Sequence, residues 1–216
     1  MRIWIARSAS VTGLLACTLI LSACGSATPT AQPAPTSTAG LAASPTPVGL
    51  APSYVPIDPI PILPNPTMPP WFSVEMTDVN TGKPFRISDF MGKVILIDTM
   101  AVWCPTCQGE MSQIQQLPSL LGASNSDLVR ISLDVDPNED AAILKKFAAK
   151  NTFDWQIAVA PIEVGRFLAT HYDQQYLNPP LQPMLFIDKS GGVYGLPFGI
   201  KSAVSIQKTL AQYLAQ

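Results

Sequence analysis

From Trp71 onward, hydrophobic and polar positions fall into blocks whose periods separate strands from helices. Trp71 to Val79 and Lys83 to Ile87 flank Asn80-Thr81-Gly82, a turn signature that predicts a hairpin. Val94 to Thr99 is a near-continuous apolar, branched run interrupted only by Asp98, and it predicts a buried central strand. A helix is expected from Cys104 to about Leu117, and a second strand from Leu128 to Val135. Asp136-Pro137-Asn138-Glu139 reads as a helix start, with Asp136 as the cap and Pro137 at the first helical position. Ala141, Leu144 and Ala148 then share one face of a helix reaching about Lys150.

The remaining pattern predicts a strand over Trp155 to Ala160, a helix over Ile162 to His171 and a strand over Met184 to Asp188. Ser190-Gly191-Gly192 joins that strand to Val193 to Leu196, and a last helix over Ser202 to Leu214 aligns Ala203, Ile206, Leu210 and Tyr213. Strand and helix alternate through the middle and a hairpin closes the sheet, so the fold class is α/β: a mixed sheet with helices on both faces.

Composition divides the 216 residues into three parts. Thirteen of the 22 prolines fall between Gly25 and Pro70, a stretch whose single charge is Asp58, and it is expected to be a linker. Its 46 residues span roughly 40 Å as a coil and about 140 Å if extended. Before it, Arg2 and Arg7 precede an apolar segment, Ala9 to Leu21, that ends in Leu21-Ser22-Ala23-Cys24, the parts of a secretory signal. That segment is too short to cross a bilayer comfortably. Its ending resembles the bacterial lipobox, which makes residues 1–24 a lipoprotein signal peptide and Cys24 the site of lipidation; Cys17 would be removed with the signal. Residues 71–216 remain as one folded domain. It carries 11 Lys plus Arg against 14 Asp plus Glu and no basic run, so nucleic acid is excluded as a partner.

The chemistry concentrates in Trp103-Cys104-Pro105-Thr106-Cys107, directly after the buried strand. A C-x-x-C pair at a strand-to-helix junction places the first sulfur at the helix N-terminus, where free N–H groups and the dipole stabilise a thiolate. Cys104 is therefore expected to be the exposed, acidic nucleophile, and Cys107, one turn on and more buried, the resolving thiol that closes a disulfide with it. Pro105 suits the first helical turn, and Trp103 gives an aromatic shoulder.

This motif resembles the thioredoxin superfamily. The N-terminal hairpin ending in Phe90-Met91-Gly92-Lys93, together with the helix and strand inserted before Pro183, is similar to the membrane-tethered TlpA/ResA branch. The resemblance implies a thioredoxin-like fold over about Trp71 to Gln216, with an N-terminal β-hairpin and an inserted helix and strand. It also implies that Asp98 is the buried carboxylate that takes a proton from Cys107. Glu110 matches an acidic residue that follows the motif in ResA-type members; it either tunes the thiols or solvates the first helix. Pro183 matches the cis-proline loop, with the backbone of Gln182 left free to pair with a substrate strand. Tyr172 to Gln182 departs from the family in being a longer, Pro-rich loop.

The function implied is an extracytoplasmic, lipid-anchored thiol-disulfide oxidoreductase that reduces disulfides of exported proteins, for example apocytochrome c, and is recharged by a membrane thiol-electron transporter. No bound cofactor and no metal are called for. A rival from another class is a copper(I) metallochaperone using Cys104, Cys107 and His171 or Met184; Met100, Met111 and Met184 read as packing residues. Neither cysteine stands in the Pro-x-x-x-Thr-x-x-Cys pattern of peroxiredoxins.

Overall fold

The computed structural model describes residues 57–63 and 68–216, so the signal segment, Cys24 and most of the Pro-rich stretch lie outside the described residues. The strands are β1 (Ile60–Leu63), β2 (Met76–Thr77), β3 (Pro84–Phe85), β4 (Val94–Met100), β5 (Leu128–Asp134), β6 (Gln156–Val159), β7 (Met184–Ile187) and β8 (Val193–Leu196). The helices are α1 (Pro105–Ile114), α2 (Leu117–Leu121), α3 (Ala141–Asn151), α4 (Ile162–Phe167) and α5 (Ala203–Leu214). The main sheet has the order β1-β8-β7-β4-β5-β6. β4, β5 and β6 run parallel, and β7, β8 and β1 are added antiparallel. β2 and β3 form the short hairpin expected near the start of the domain. No helix among the described residues is long and apolar enough to cross a membrane.

β4 is central because every one of its side chains is buried, and successive side chains point to opposite faces. Val94, Leu96 and Met100 join one core with Met111 of α1, Leu144 of α3 and Ile206 of α5. Ile95 and Ile97 join the other, with Trp71, Phe72 and Val164 of α4. The same alternation turns Asp98 toward the first core, which also contains Cys104 and Cys107.

Three boundaries differ from expectation. β1 lies inside the stretch expected to be linker, paired through Ile60 with Gly195 and Pro61 with Tyr194. Ile57 is held as well, exchanging hydrogen bonds with the Thr209 hydroxyl at 2.9 and 2.8 Å. Proline is tolerated there because an edge strand needs only half of its hydrogen-bonding groups. The first helix stops at Ile114 rather than near Leu117, since Pro118 has no N–H to continue the ladder. α3 begins at Ala141, not beside Pro137: Asp140 is its cap, accepting from the N–H groups of Ala142 and Ile143 at 2.9 and 2.8 Å. Asp136 closes its own turn instead, accepting from Asn138 N at 2.8 Å.

Candidate active site

The loop Ala101–Trp103 carries the chain from β4 into α1, and Cys104 is the N-cap of that helix. Its Sγ accepts the N–H of Cys107 at 3.2 Å, so the first sulfur takes the place that a Ser or Asp oxygen usually fills. Pro105 occupies the first turn, and the Thr106 hydroxyl lies 3.2 Å from Cys104 Sγ. Cys104 and Cys107 form a disulfide with a Cα–Cα distance of 5.3 Å.

Cys104 was expected to be exposed, and the structure corrects this: the residue is 1% accessible and Cys107 is equally covered. The exposed surface is Trp103, at 57%, whose indole N–H donates to the Asp136 carboxylate. Val102 N donates to Glu139 Oε2 at 2.7 Å. Below the disulfide the inserted loop closes in, and the Pro179 carbonyl oxygen lies 3.3 Å from Cys107 Sγ, where it can accept from that thiol once reduced.

Asp98 is buried and accepts from Ser132 Oγ at 2.6 Å, and Trp155 Nε1 in turn donates to that hydroxyl at 2.8 Å. Ser132 stands opposite Asp98 in the β4–β5 register, which is why the pair meets. Burial pushes the Asp98 carboxyl up to about 7, against the opposing pull of the Ser132 hydrogen bond and the Lys201 charge.

Glu110, left open between a tuning and a solvating role, lies inside the protein. Burial pushes it up to about 8, with the Lys201 ammonium pulling the other way and the Asp98 charge adding to the rise. Lys201 Nζ lies 2.8 Å from Glu110 Oε1, an ion contact whose angles fall outside hydrogen-bond geometry. The same ammonium donates to the carbonyls of Gln182, Gly199 and Pro197 at 2.7, 2.6 and 3.3 Å. Lys201 is thus a buried cation that ties α1, the loop before β7 and the loop after β8 together. Sequence reasoning missed it, because a lone lysine after Gly199-Ile200 carries no local signal of burial.

The loop before β7 also departs from expectation. No cis peptide bond occurs among the described residues, so Pro183 follows a trans bond. The reversal is made by Gln182 instead, at φ 54° and ψ 58°, ending the turn Pro179–Leu181. Nor is the backbone of Gln182 free: its N–H donates to Pro179 O at 2.8 Å and its carbonyl accepts from Lys201. Its side-chain amide donates to Thr106 O at 2.9 Å, which fastens this loop to α1. The Pro183 carbonyl accepts from Thr99 N at 3.2 Å.

His171 stacks on Phe167 with ring centroids 4.1 Å apart, and Met184 is buried on β7 opposite Asp98. Among the described residues no three His, Cys, Asp or Glu side chains converge as a metal-binding set.

The chain is similar to known proteins in the same region. It is 29% identical over 118 residues to the thiol-disulfide oxidoreductase ResA of Bacillus thuringiensis subsp. konkukian, covering 55% of this chain and 61% of that protein. The chain therefore spans about three fifths of that relative's length. Among solved structures, it resembles a thiol:disulfide interchange protein of the thioredoxin family from Chlorobium tepidum TLS, with a TM-score of 0.54 and 22% identity over 74% of this chain and 99% of that one. A SCO1/SenC family lipoprotein from Bacillus anthracis str. Ames gives a TM-score of 0.54 and 23% identity over 66% of this chain and 93% of that one. These likenesses show a thioredoxin-like fold. The Redoxin family model matches residues 64–186, more than half of the sequence and all of the segment from the hairpin through the disulfide to β7, and the chain belongs to the Redoxin family.

Proposed function

We propose that the chain is an extracytoplasmic thiol-disulfide oxidoreductase, held at the membrane by lipid on Cys24, that reduces disulfides of exported proteins. The observation that carries this reading is the Cys104–Cys107 disulfide at the N-terminus of α1, with Cys104 Sγ serving as the helix cap. A cap accepts hydrogen bonds from the helix N–H groups, and a thiolate accepts them more strongly than a thiol, so the position favours the nucleophilic form. The ResA relative is a thiol-disulfide oxidoreductase and the Bacillus anthracis neighbour a lipoprotein, which support the activity and the anchor respectively.

In the reduced protein, the Cys104 thiolate attacks one sulfur of a substrate disulfide. A mixed disulfide forms and the other substrate sulfur leaves as a thiolate, which takes a proton from solvent. Cys107 then gives its proton to Asp98 and attacks Cys104 Sγ. The Cys104–Cys107 bond forms, the second substrate thiolate leaves, and two electrons have passed from the chain to the substrate. A carboxyl raised to about 7 can hold that proton and release it at neutral pH. A membrane thiol-electron transporter would return the chain to its dithiol form, and exported proteins such as apocytochrome c would be the substrates.

The test is the reduction potential of the Cys104–Cys107 couple in the lipidated chain, equilibrated in detergent against defined thiol buffers. A value well below about −220 mV supports a reductant, and one above about −150 mV replaces it with an oxidant of exported proteins. Absence of disulfide exchange together with stoichiometric copper(I) binding would replace the reading with the metal carrier.

A further inference from the structure

Beside the Trp103 shoulder lies a cavity of about 610 Å³ between the ends of β5 and β6 and the helix α4. Val159, Ala160, Pro161 and Leu177 give it apolar walls, while Asp136 and Glu139 carry charge along its β5 side. Its volume matches that of sites that enclose several side chains or a small ligand.

Wall residues of the cavity are linked to the redox centre on two sides. On one side its wall residues Glu139 and Asp136 hold Val102 N and the Trp103 indole, the two residues that precede Cys104. On the other, Leu177 lines the cavity two residues before Pro179, whose carbonyl touches Cys107 Sγ. A polypeptide whose cysteine sits at Cys104 and whose chain runs over Trp103 therefore meets the acidic wall of this cavity at Asp136. Apolar lining residues are left in water: Ile162 is 75% accessible and Leu177 is also exposed, while the exposed Trp103 is held to the wall residue Asp136.

Charge narrows the occupant. The Asp136 carboxyl is held below the usual range by hydrogen bonds from the backbone of Asn138 and from Trp103, which keeps it anionic. Behind it, Asp134 is buried with Oδ2 lacking a hydrogen-bond partner, its carboxyl pushed up to about 7 chiefly by burial and further by neighbouring Glu139. Arg166, on the α4 rim, is the cavity's one lysine or arginine, so positive charge is favoured on the Trp103 side only.

Resting on the oxidoreductase reading, we propose that this cavity is a specificity groove for the substrate polypeptide, seating an apolar side chain between Val159 and Leu177 and a lysine or arginine against Asp136 and Glu139. The cysteine of that segment is then presented beside Trp103. Disulfides flanked by a basic and an apolar residue are selected over acidic ones, because an acidic residue there would meet Asp136 and Glu139 unpaired.

Binding and turnover are measured separately on the full chain. Calorimetry compares two nonreactive peptides with Ser in place of Cys, one carrying Leu and Arg and the other Leu and Glu. The basic peptide is expected to bind at least tenfold more tightly at low salt, and Ala169→Trp, which fills the cavity, is expected to remove that difference. Ile162→Asp, at an exposed position, serves as a second variant and is expected to weaken the basic peptide severalfold by removing apolar contact. Equal binding of the two peptides, or binding of the basic peptide unchanged in both folded variants, overturns the groove. A dimer that Ile162→Asp dissociates in sedimentation would assign the surface to a second copy and also overturn it. Reduction of hydroxyethyl disulfide, too small to need the groove, reports independently on the oxidoreductase reading; its absence would sink that reading whatever the peptides do.

Discussion

Lys201 and Glu110 face each other 2.8 Å apart with both side chains buried, one on the loop after β8 and the other in the middle of α1. The ammonium also binds three carbonyls, including that of Gln182, so one cation fixes the loop beside the disulfide and pulls down the pKa of the buried Glu110 carboxyl. A buried pair of this kind is weak evidence of net stabilisation, yet removing one member leaves the other uncompensated.

Lys201→Met should therefore cost about 3–5 kcal/mol in urea denaturation. Glu110 would lose the charge that lowers its pKa and three carbonyls would lose their donor. The double variant Lys201→Met, Glu110→Gln should recover part of that loss. No recovery would mean that the carbonyl contacts, rather than the ion pair, dominate.

The buried acids make stability depend on pH in a definite direction. Asp98 keeps its proton to about 7 against an ordinary 3.8, and Glu110 to about 8 against 4.5. Between these limits the folded chain holds protons that the unfolded chain has released, so stability is fully present below about 4 and declines as pH rises through about 7 to 8. Urea midpoints of the oxidised protein should be higher at pH 5 than at pH 8.5, and Asp98→Asn should flatten the slope. A midpoint that rises over this interval would contradict the assignment.

The two cysteines should separate kinetically. Cys104→Ser is expected to abolish turnover, whereas Cys107→Ser should accumulate a mixed disulfide visible by mass spectrometry. Asp98→Asn should slow resolution of the wild-type mixed disulfide by about 10²-fold and remove its inflection near pH 7. Equal residual activity in both serine variants would refute the division of roles.

Asp140→Ala should lower stability by about 1 kcal/mol through loss of the α3 cap, a melting shift of roughly 2–4 °C for a domain of this size. Asp136→Ala should spare α3 and release the Trp103 indole instead, seen as a change in tryptophan emission. If Asp136→Ala destabilises α3 as much, the cap has been misplaced.

What could be read from the sequence was what depends on neighbours along the chain. β4 declared itself by a branched apolar run, and Cys104-Pro105-Thr106-Cys107 by its place after that run. Asp98 stood out because a carboxylate is rare in such a strand. The reading failed where distant segments decide. Lys201 meets Glu110 only after the sheet is assembled, and Pro61 disguised an edge strand whose partner is near the far end of the chain. Asp136 and Asp140 both fit a cap by composition; Trp103 and Asn138 claim the first, which leaves the second to hold α3. At Pro183 a cis bond with the Gln182 backbone left free for a substrate strand was expected; the bond is trans, and Gln182 takes a left-handed turn with its carbonyl held by Lys201.

Because the chain enters the domain through β1, a pull on its N-terminal side is loaded first on the β1–β8 ladder and on the Ile57–Thr209 contact. β8 and β7 stand between that ladder and β4, which carries the cysteine loop. Force arriving from that side therefore meets two strands and the outer ladder before it reaches the strand that carries the cysteine loop.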